Sequence, residues 1–278
     1  MTIRRIFNSR CFNYHWGTSL ATIVLVCFSS LAQADMIERK ATVYSVLSKQ
    51  SLHLKVYVPS DYEAGPGSRY PVLVTTAGRS RLPMLMAQID WLSHVDFGPM
   101  PKVIVVTLPA IDFAGAGDKF AAASGSIDKL TADILESEVL PYIERQYRTQ
   151  PYRLIEGFSS WGNFPLYVFR NYPDLFNAYL ALGPALELDE SGLVDSFLTG
   201  MDGKAYNNKY LYLSFATFNG QDAEFFKLRA GLEALTTGSK LSLKVEDMRE
   251  QNYIASPLIG LTHAVTHLFA DRAPQPKQ

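Results

Sequence analysis

The segment Tyr152-Arg153-Leu154-Ile155-Glu156-Gly157-Phe158-Ser159-Ser160-Trp161-Gly162 holds the residues with the clearest chemical potential. A strand-like run, Tyr152 to Glu156, meets a glycine–serine turn, and a helix-like run, Phe164 to Asn171, follows. Strand, sharp turn and helix together present a serine hydroxyl at the end of a strand, with the next backbone N–H aimed at an oxyanion. Gly157-Phe158-Ser159 fits the first half of G-x-S-x-G. Trp161 stands at the fifth position and Gly162 comes one residue late. Small residues are needed two before and two after the serine, where strand and helix nearly touch. Trp161 must therefore push the helix away or turn its ring outward. Choosing Ser160 as the nucleophile places Phe158 in the crowded position instead, so Ser159 is preferred. The same pair also reads as a plain strand-to-helix turn that caps the helix.

A serine hydroxyl needs a neighbouring base at neutral pH. His53 falls in an early strand and His94 near a helix end, and both read as structural. His263 and His267 lie four apart on one helical face. They read first as an amphipathic-face pair and only weakly as bases. No third ligand or carboxylate companion accompanies them, so no metal and no cofactor is expected. Both cysteines, Cys11 and Cys27, lie in the N-terminal segment, leaving the rest without disulfide or thiol nucleophile.

These groups need a scaffold, and the chain alternates strand-like and helix-like runs. Strands are expected at Thr42–Leu47, Leu52–Val58, Tyr70–Thr76, Lys102–Leu108, Tyr152–Glu156, Tyr179–Leu182, Tyr210–Phe215 and Leu241–Val245. Helices are expected at Leu82–His94, Ile127–Tyr147 with a kink or a break at Pro141, Phe164–Asn171 and Pro257–Phe269. Gly115 to Gly125 reads as a loop over the site. The alternation argues for an α/β fold with a mostly parallel central sheet and helices on both faces.

Residues 1–34 read as a removable signal peptide. Arg4, Arg5 and Arg10 precede the apolar run Leu20–Phe28, and Ala32-Gln33-Ala34 is a small-residue cleavage pattern before Asp35. The apolar run is shorter than the ~20 residues of a membrane span, and Val26 before Cys27 argues against lipidation. The expected product is a periplasmic or secreted domain over 35–272 with a frayed tail at 273–278. It has no stable membrane span after cleavage. The chain has 26 basic and 27 acidic residues; loss of those three arginines leaves 23 against 27. With no basic run, nucleic acid is not an expected partner. A small-molecule ester substrate or ligand is.

Residues 135–186, LESEVLPYIERQYRTQPYRLIEGFSSWGNFPLYVFRNYPDLFNAYLALGPAL, resemble the putative esterase family that includes esterase D and the enterochelin esterases. Glu138, Pro141, Tyr142, Ile143, Glu144, Tyr147, Gly157, Ser159, Gly162, Pro173, Phe176, Ala178 and Pro184 match its pattern in order. Upstream, Tyr70-Pro71-Val72-Leu73 and Gly78 resemble its Y-P-V-L-Y-L-L-D-G strand and turn. The resemblance implies an α/β-hydrolase fold and a metal-free serine ester hydrolase with a Ser–His–acid arrangement. It further implies an acid after strand Tyr210–Phe215, for which Asp222 and Glu224 are the candidates. It places the oxyanion donors at the N–H of Ser160 and near Gly78 or Arg79, beside Trp161. There are departures. Ala77 replaces the family's Asp, and Phe158 its His before the nucleophile. Aligning the closing helix on Pro257-Leu258 puts Tyr253 where the family has its catalytic histidine.

Two function classes follow. One is an exported esterase working through an acyl-enzyme on Ser159. The other is an inactive hydrolase-fold binding protein that lacks the family's histidine. Acyl transfer by the same serine is a third reading.

Overall fold

The computed structural model describes residues 36–108, 127–186, 193–216 and 222–270. The chain divides into units 1–33 and 34–278, and the described residues belong to the second. The expected signal peptide, the tail at 273–278 and the glycine-rich loop 115–125 lie outside them.

Eight strands form one sheet: β1 (Ile37–Ser45), β2 (Gln50–Val58), β3 (Tyr70–Thr75), β4 (Ile104–Thr107), β5 (Thr149–Ser159), β6 (Ala178–Pro184), β7 (Tyr210–Phe215) and β8 (Ser242–Asp247). Their spatial order is β1-β2-β4-β3-β5-β6-β7-β8. β1 and β2 form an antiparallel hairpin, β2 joins β4 antiparallel, and the remaining pairs are parallel. The central strands are apolar on both faces, as parallel strands covered by helices must be. β3, β6 and β7 are buried along their whole length. β1 instead alternates wet and buried residues, and its charged start, Glu38-Arg39-Lys40, hides a strand that begins five residues before the expected Thr42.

The helices are α1 (Leu82–Ser93), α2 (Ile127–Ile134), α3 (Leu140–Gln146), α4 (Asn163–Asn171), α5 (Leu193–Leu198), α6 (Asp222–Leu235) and α7 (Ser256–Leu268). α1 and α7 cover one face, burying Leu85, Ile89, Leu261 and Val265 against Leu73, Leu154 and Tyr212. α2, α3, α4 and α6 cover the other through residues such as Leu130, Ile143, Phe169 and Leu228. The helical run over 127–147 is interrupted, as a kink or break near Pro141 would require, by a π-helical turn at Leu135–Val139. That turn ends just before Pro141, whose missing N–H and ring cannot sit in an unbroken α-helical ladder. No helix among the described residues is long and apolar enough to cross a membrane.

Strand order reverses at β3. The chain leaves β3 toward β4 on one side and returns to β5 on the other. A crevice opens at the carboxyl ends of strands flanking such a reversal. The turn after β3 and the turn after β5 meet there.

Candidate active site

Ser159 ends β5 with φ 61° and ψ −137°, a conformation that costs a non-glycine residue ~1–3 kcal/mol. The surroundings enforce it. A Cβ on Gly157 would stand 2.2 Å from the Trp161 carbonyl oxygen, and one on Gly162 3.0 Å from Pro184 Cα. The tight turn therefore needs both glycines. Between Ser159 and α4 the chain inserts a 3₁₀ turn, Ser160–Gly162. That extra turn accommodates the displaced glycine. Trp161 contributes only its backbone to the crowded contact, and the residue is 53 % exposed.

The Tyr253 hydroxyl donates to Ser159 Oγ at 2.6 Å. Two hydroxyls can exchange donor and acceptor roles by rotation. Tyr253 sits in the loop between β8 and α7. Its ring packs on Phe158 with centroids 5.0 Å apart, and its carbonyl accepts from Ser256 Oγ at the start of α7. The alignment that put Tyr253 in the histidine's place thus corresponds to a contact.

None of the four described histidines bonds to Ser159. His53 Nδ1 bonds to Thr42, and His94 Nδ1 to the Trp91 carbonyl. His263 Nδ1 lies 2.9 Å from Glu246 Oε2. His267 stacks on Tyr210 at 5.6 Å. The candidate bases His263 and His267 thus each meet a partner on the sheet, Glu246 and Tyr210. Burial pushes the Glu246 carboxyl up, but hydrogen bonds from Tyr212, His263 and Lys244 outweigh it and hold it below the ordinary value.

The candidate acids Asp222 and Glu224 stand in the first turn of α6. Phe225, Leu228 and Leu232 carry that helix's buried stripe, a spacing visible in the sequence. Asp222 pairs with Arg249 at 2.8 Å, and Arg249 also grips Asp247. The acid thus meets a cation on the Tyr253 loop rather than an imidazole.

Opposite Ser159 stands the turn Thr76–Arg81. The Ala77 N–H donates to Thr75 Oγ1, and the Gly78 carbonyl accepts from the N–H groups of Arg81 and Leu82. The Gly78 and Arg79 N–H groups make no hydrogen bond among the described residues. A cavity of about 740 Å³ flanks this turn, lined by Ala77, Arg79, Leu82, Met86, Thr107 and Leu108. A second, of about 350 Å³, lies beyond the elbow against Asn163, Leu166, Leu186 and Phe197. The described residues contain no cluster of three metal-ligating side chains.

Residues 45–225, more than half of the chain, match the family described as Putative esterase. The chain belongs to the putative esterase family. Three solved structures show this esterase's fold. An IroE-like serine hydrolase from Shewanella oneidensis is 21 % identical with a TM-score of 0.71, over 86 % of this chain and 82 % of that one. A ferulic acid esterase is 15 % identical with a TM-score of 0.61, over 84 % and 98 %. The enterobactin and salmochelin hydrolase IroE is 14 % identical with a TM-score of 0.59, over 86 % and 96 %. No curated protein matches the sequence. The fold is that of the α/β-hydrolases, as the resemblance implied. Two family-motif residues of this esterase have structural work. Glu138 Oε1 accepts from the N–H groups of Val46 and Leu47, capping the β1–β2 turn. Glu144 pairs with Arg153 on β5.

Proposed function

We propose that this family member is an exported esterase that cleaves carboxylic esters through Ser159, with Tyr253 in the general base's place. The observation that carries the proposal is the 2.6 Å contact between Tyr253 Oη and Ser159 Oγ at a strained elbow.

The tyrosine, as phenolate, takes the Ser159 proton while Oγ bonds to the ester carbonyl carbon. The carbonyl pair moves onto oxygen, and the resulting oxyanion is received by N–H groups of Ser160 and of Gly78 or Arg79. The pair returns, the bond to the alcohol breaks, and the phenol protonates the leaving alkoxide. A water then attacks the acyl-enzyme and yields a proton to the phenolate; the second oxyanion collapses, the Ser159 Oγ–carbon bond breaks, and the phenol returns the proton to Oγ as the acid leaves. The larger cavity, beside the oxyanion turn, would take one side of the ester against apolar Leu82 and Met86 and charged Arg79, Lys55 and Glu38. Turnover should therefore depend on the Tyr253 oxygen.

The test is p-nitrophenyl acetate hydrolysis by the mature protein against Ser159→Ala. Turnover lost in the variant supports the proposal. Equal turnover in both rejects it. Ester binding without turnover assigns the site to ligand capture instead. Export is tested separately: the periplasmic or secreted form should begin at Asp35.

A further inference from the structure

Glu156 lies three residues before Ser159, in the middle of the sheet, with a side chain 0 % exposed. A buried carboxylate must be paired and hydrogen-bonded to persist. Its partners come from one place, the turn that follows the neighbouring strand β3. Arg81 Nη2 reaches Glu156 Oε1 at 2.7 Å and also contacts Oε2. The Thr75 hydroxyl donates to Oε1. The backbone repeats the connection, because the Glu156 carbonyl accepts from the Thr76 N–H at 3.2 Å and the Thr76 hydroxyl at 3.3 Å.

These contacts bracket one segment. Thr75 is its first residue and Arg81 its last, and between them lie Gly78 and Arg79 with their unbonded N–H groups. The Thr75 hydroxyl that donates to Glu156 also accepts the Ala77 N–H. One carboxylate therefore fixes both ends of the turn against the strand that carries the elbow. The pair also touches the other side of the site. The Arg81 guanidinium lies over the Phe158 ring, 5.9 Å from its centroid, and Phe158 packs on Tyr253.

We propose that Glu156 is a positioning residue: through Thr75 and Arg81 it sets the oxyanion turn at fixed distance from Ser159. This rests on the esterase reading, since it assumes that the turn receives the oxyanion. The physical need is clear. An oxyanion donor works only when held within hydrogen-bond distance of the oxygen as charge develops, and one donor is worth a factor of ~10²–10³ in kcat. A flexible turn of glycine and serine neighbours would not hold that distance by itself. A charged pair spanning two strands, tied down at two points, does.

The test compares wild type with Glu156→Gln, which keeps the shape and the Thr75 contact but removes the charge that holds Arg81. Because a buried unpaired arginine threatens folding, the double variant Glu156→Leu/Arg81→Met is made alongside, replacing the pair by apolar groups of similar volume. Two readouts are taken on folded protein, as judged by thermal unfolding. The first is p-nitrophenyl acetate kinetics, with Ser159→Ala as the control for serine dependence. The expected result is a fall in kcat of ~10-fold or more in both variants, with KM changed by less than about threefold. The second is amide hydrogen exchange of the peptide spanning residues 76–82, expected to speed up ~10-fold or more with the core strands unaffected. Wild-type kcat in both folded variants overturns the inference. So does unchanged exchange in the turn. Loss of Ser159 dependence in wild type overturns the esterase reading instead, and hydrogen exchange then still decides whether Glu156 orders the turn.

Discussion

Replacing Tyr253 with Phe separates the two things a phenol can do for Ser159. The ring is retained, and with it the packing on Phe158 at 5.0 Å. Only the oxygen 2.6 Å from Ser159 Oγ is lost. Loss of a half-buried hydrogen bond between neutral groups costs ~0.5–1.5 kcal/mol of stability. In a domain of this size that lowers the melting temperature by only a few degrees, at ~2–4 °C per kcal/mol. The rate is a different matter. A positioned base contributes ~10²–10⁴, or ~2.7–5.4 kcal/mol of barrier at 1.36 kcal/mol per decade. The assay is p-nitrophenyl acetate hydrolysis, corrected for spontaneous cleavage. Tyr253→Phe should lie at least ~100-fold below wild type. A variant as active as wild type, or more active, would refute the reasoning: the phenol would then be a donor that restrains Ser159, not a base that serves it.

Other outcomes follow from the same geometry. Tyr253→His should raise turnover at pH 7 and make it level off above the ordinary imidazole pKa of ~6.5; a profile identical to wild type would contradict the assignment of that position. Gly157→Ala forces a Cβ to within 2.2 Å of the Trp161 carbonyl, and should lower stability by ~1–3 kcal/mol in denaturant titration and misplace Ser159; an unchanged midpoint and rate would show that the elbow is not tightly closed. Asp222→Asn should leave kcat within about twofold, because its partner is the exposed Arg249 rather than the base; a large drop would restore it as the acid. The Glu246 carboxyl is held below its ordinary 4.5 in the fold, so its contribution to stability is present above that pH and is lost as pH falls through the folded value. Glu246→Gln should flatten the acid limb of the melting curve against pH, and an unaltered limb would argue against it.

The sheet was legible because its central strands are covered on both faces, so Tyr70–Thr75 and Tyr210–Phe215 read as continuous apolar runs. The charged start of β1 was not, because an edge strand with one wet face carries a weak pattern. α6 is absent from the expected helices although Phe225, Leu228 and Leu232 keep a helical spacing. At the site, the aligned closing helix placed Tyr253 where a base would stand, while Trp161 gave the need for an outward ring. Glu156 and Arg81 were missed. They are 75 positions apart, and only the β3–β5 pairing joins them. One signal was present: a glutamate directly after Leu154 and Ile155 in a strand flanked by covered neighbours must find a cation or stay neutral.

The central claim is that Ser159 is an activated nucleophile. Treating the purified protein with a fluorophosphonate and locating the adduct by peptide mass spectrometry tests it most directly. The account predicts a single adduct on the peptide bearing Ser159, absent from Ser159→Ala. A folded protein that forms no adduct, or carries it on another residue, would contradict it.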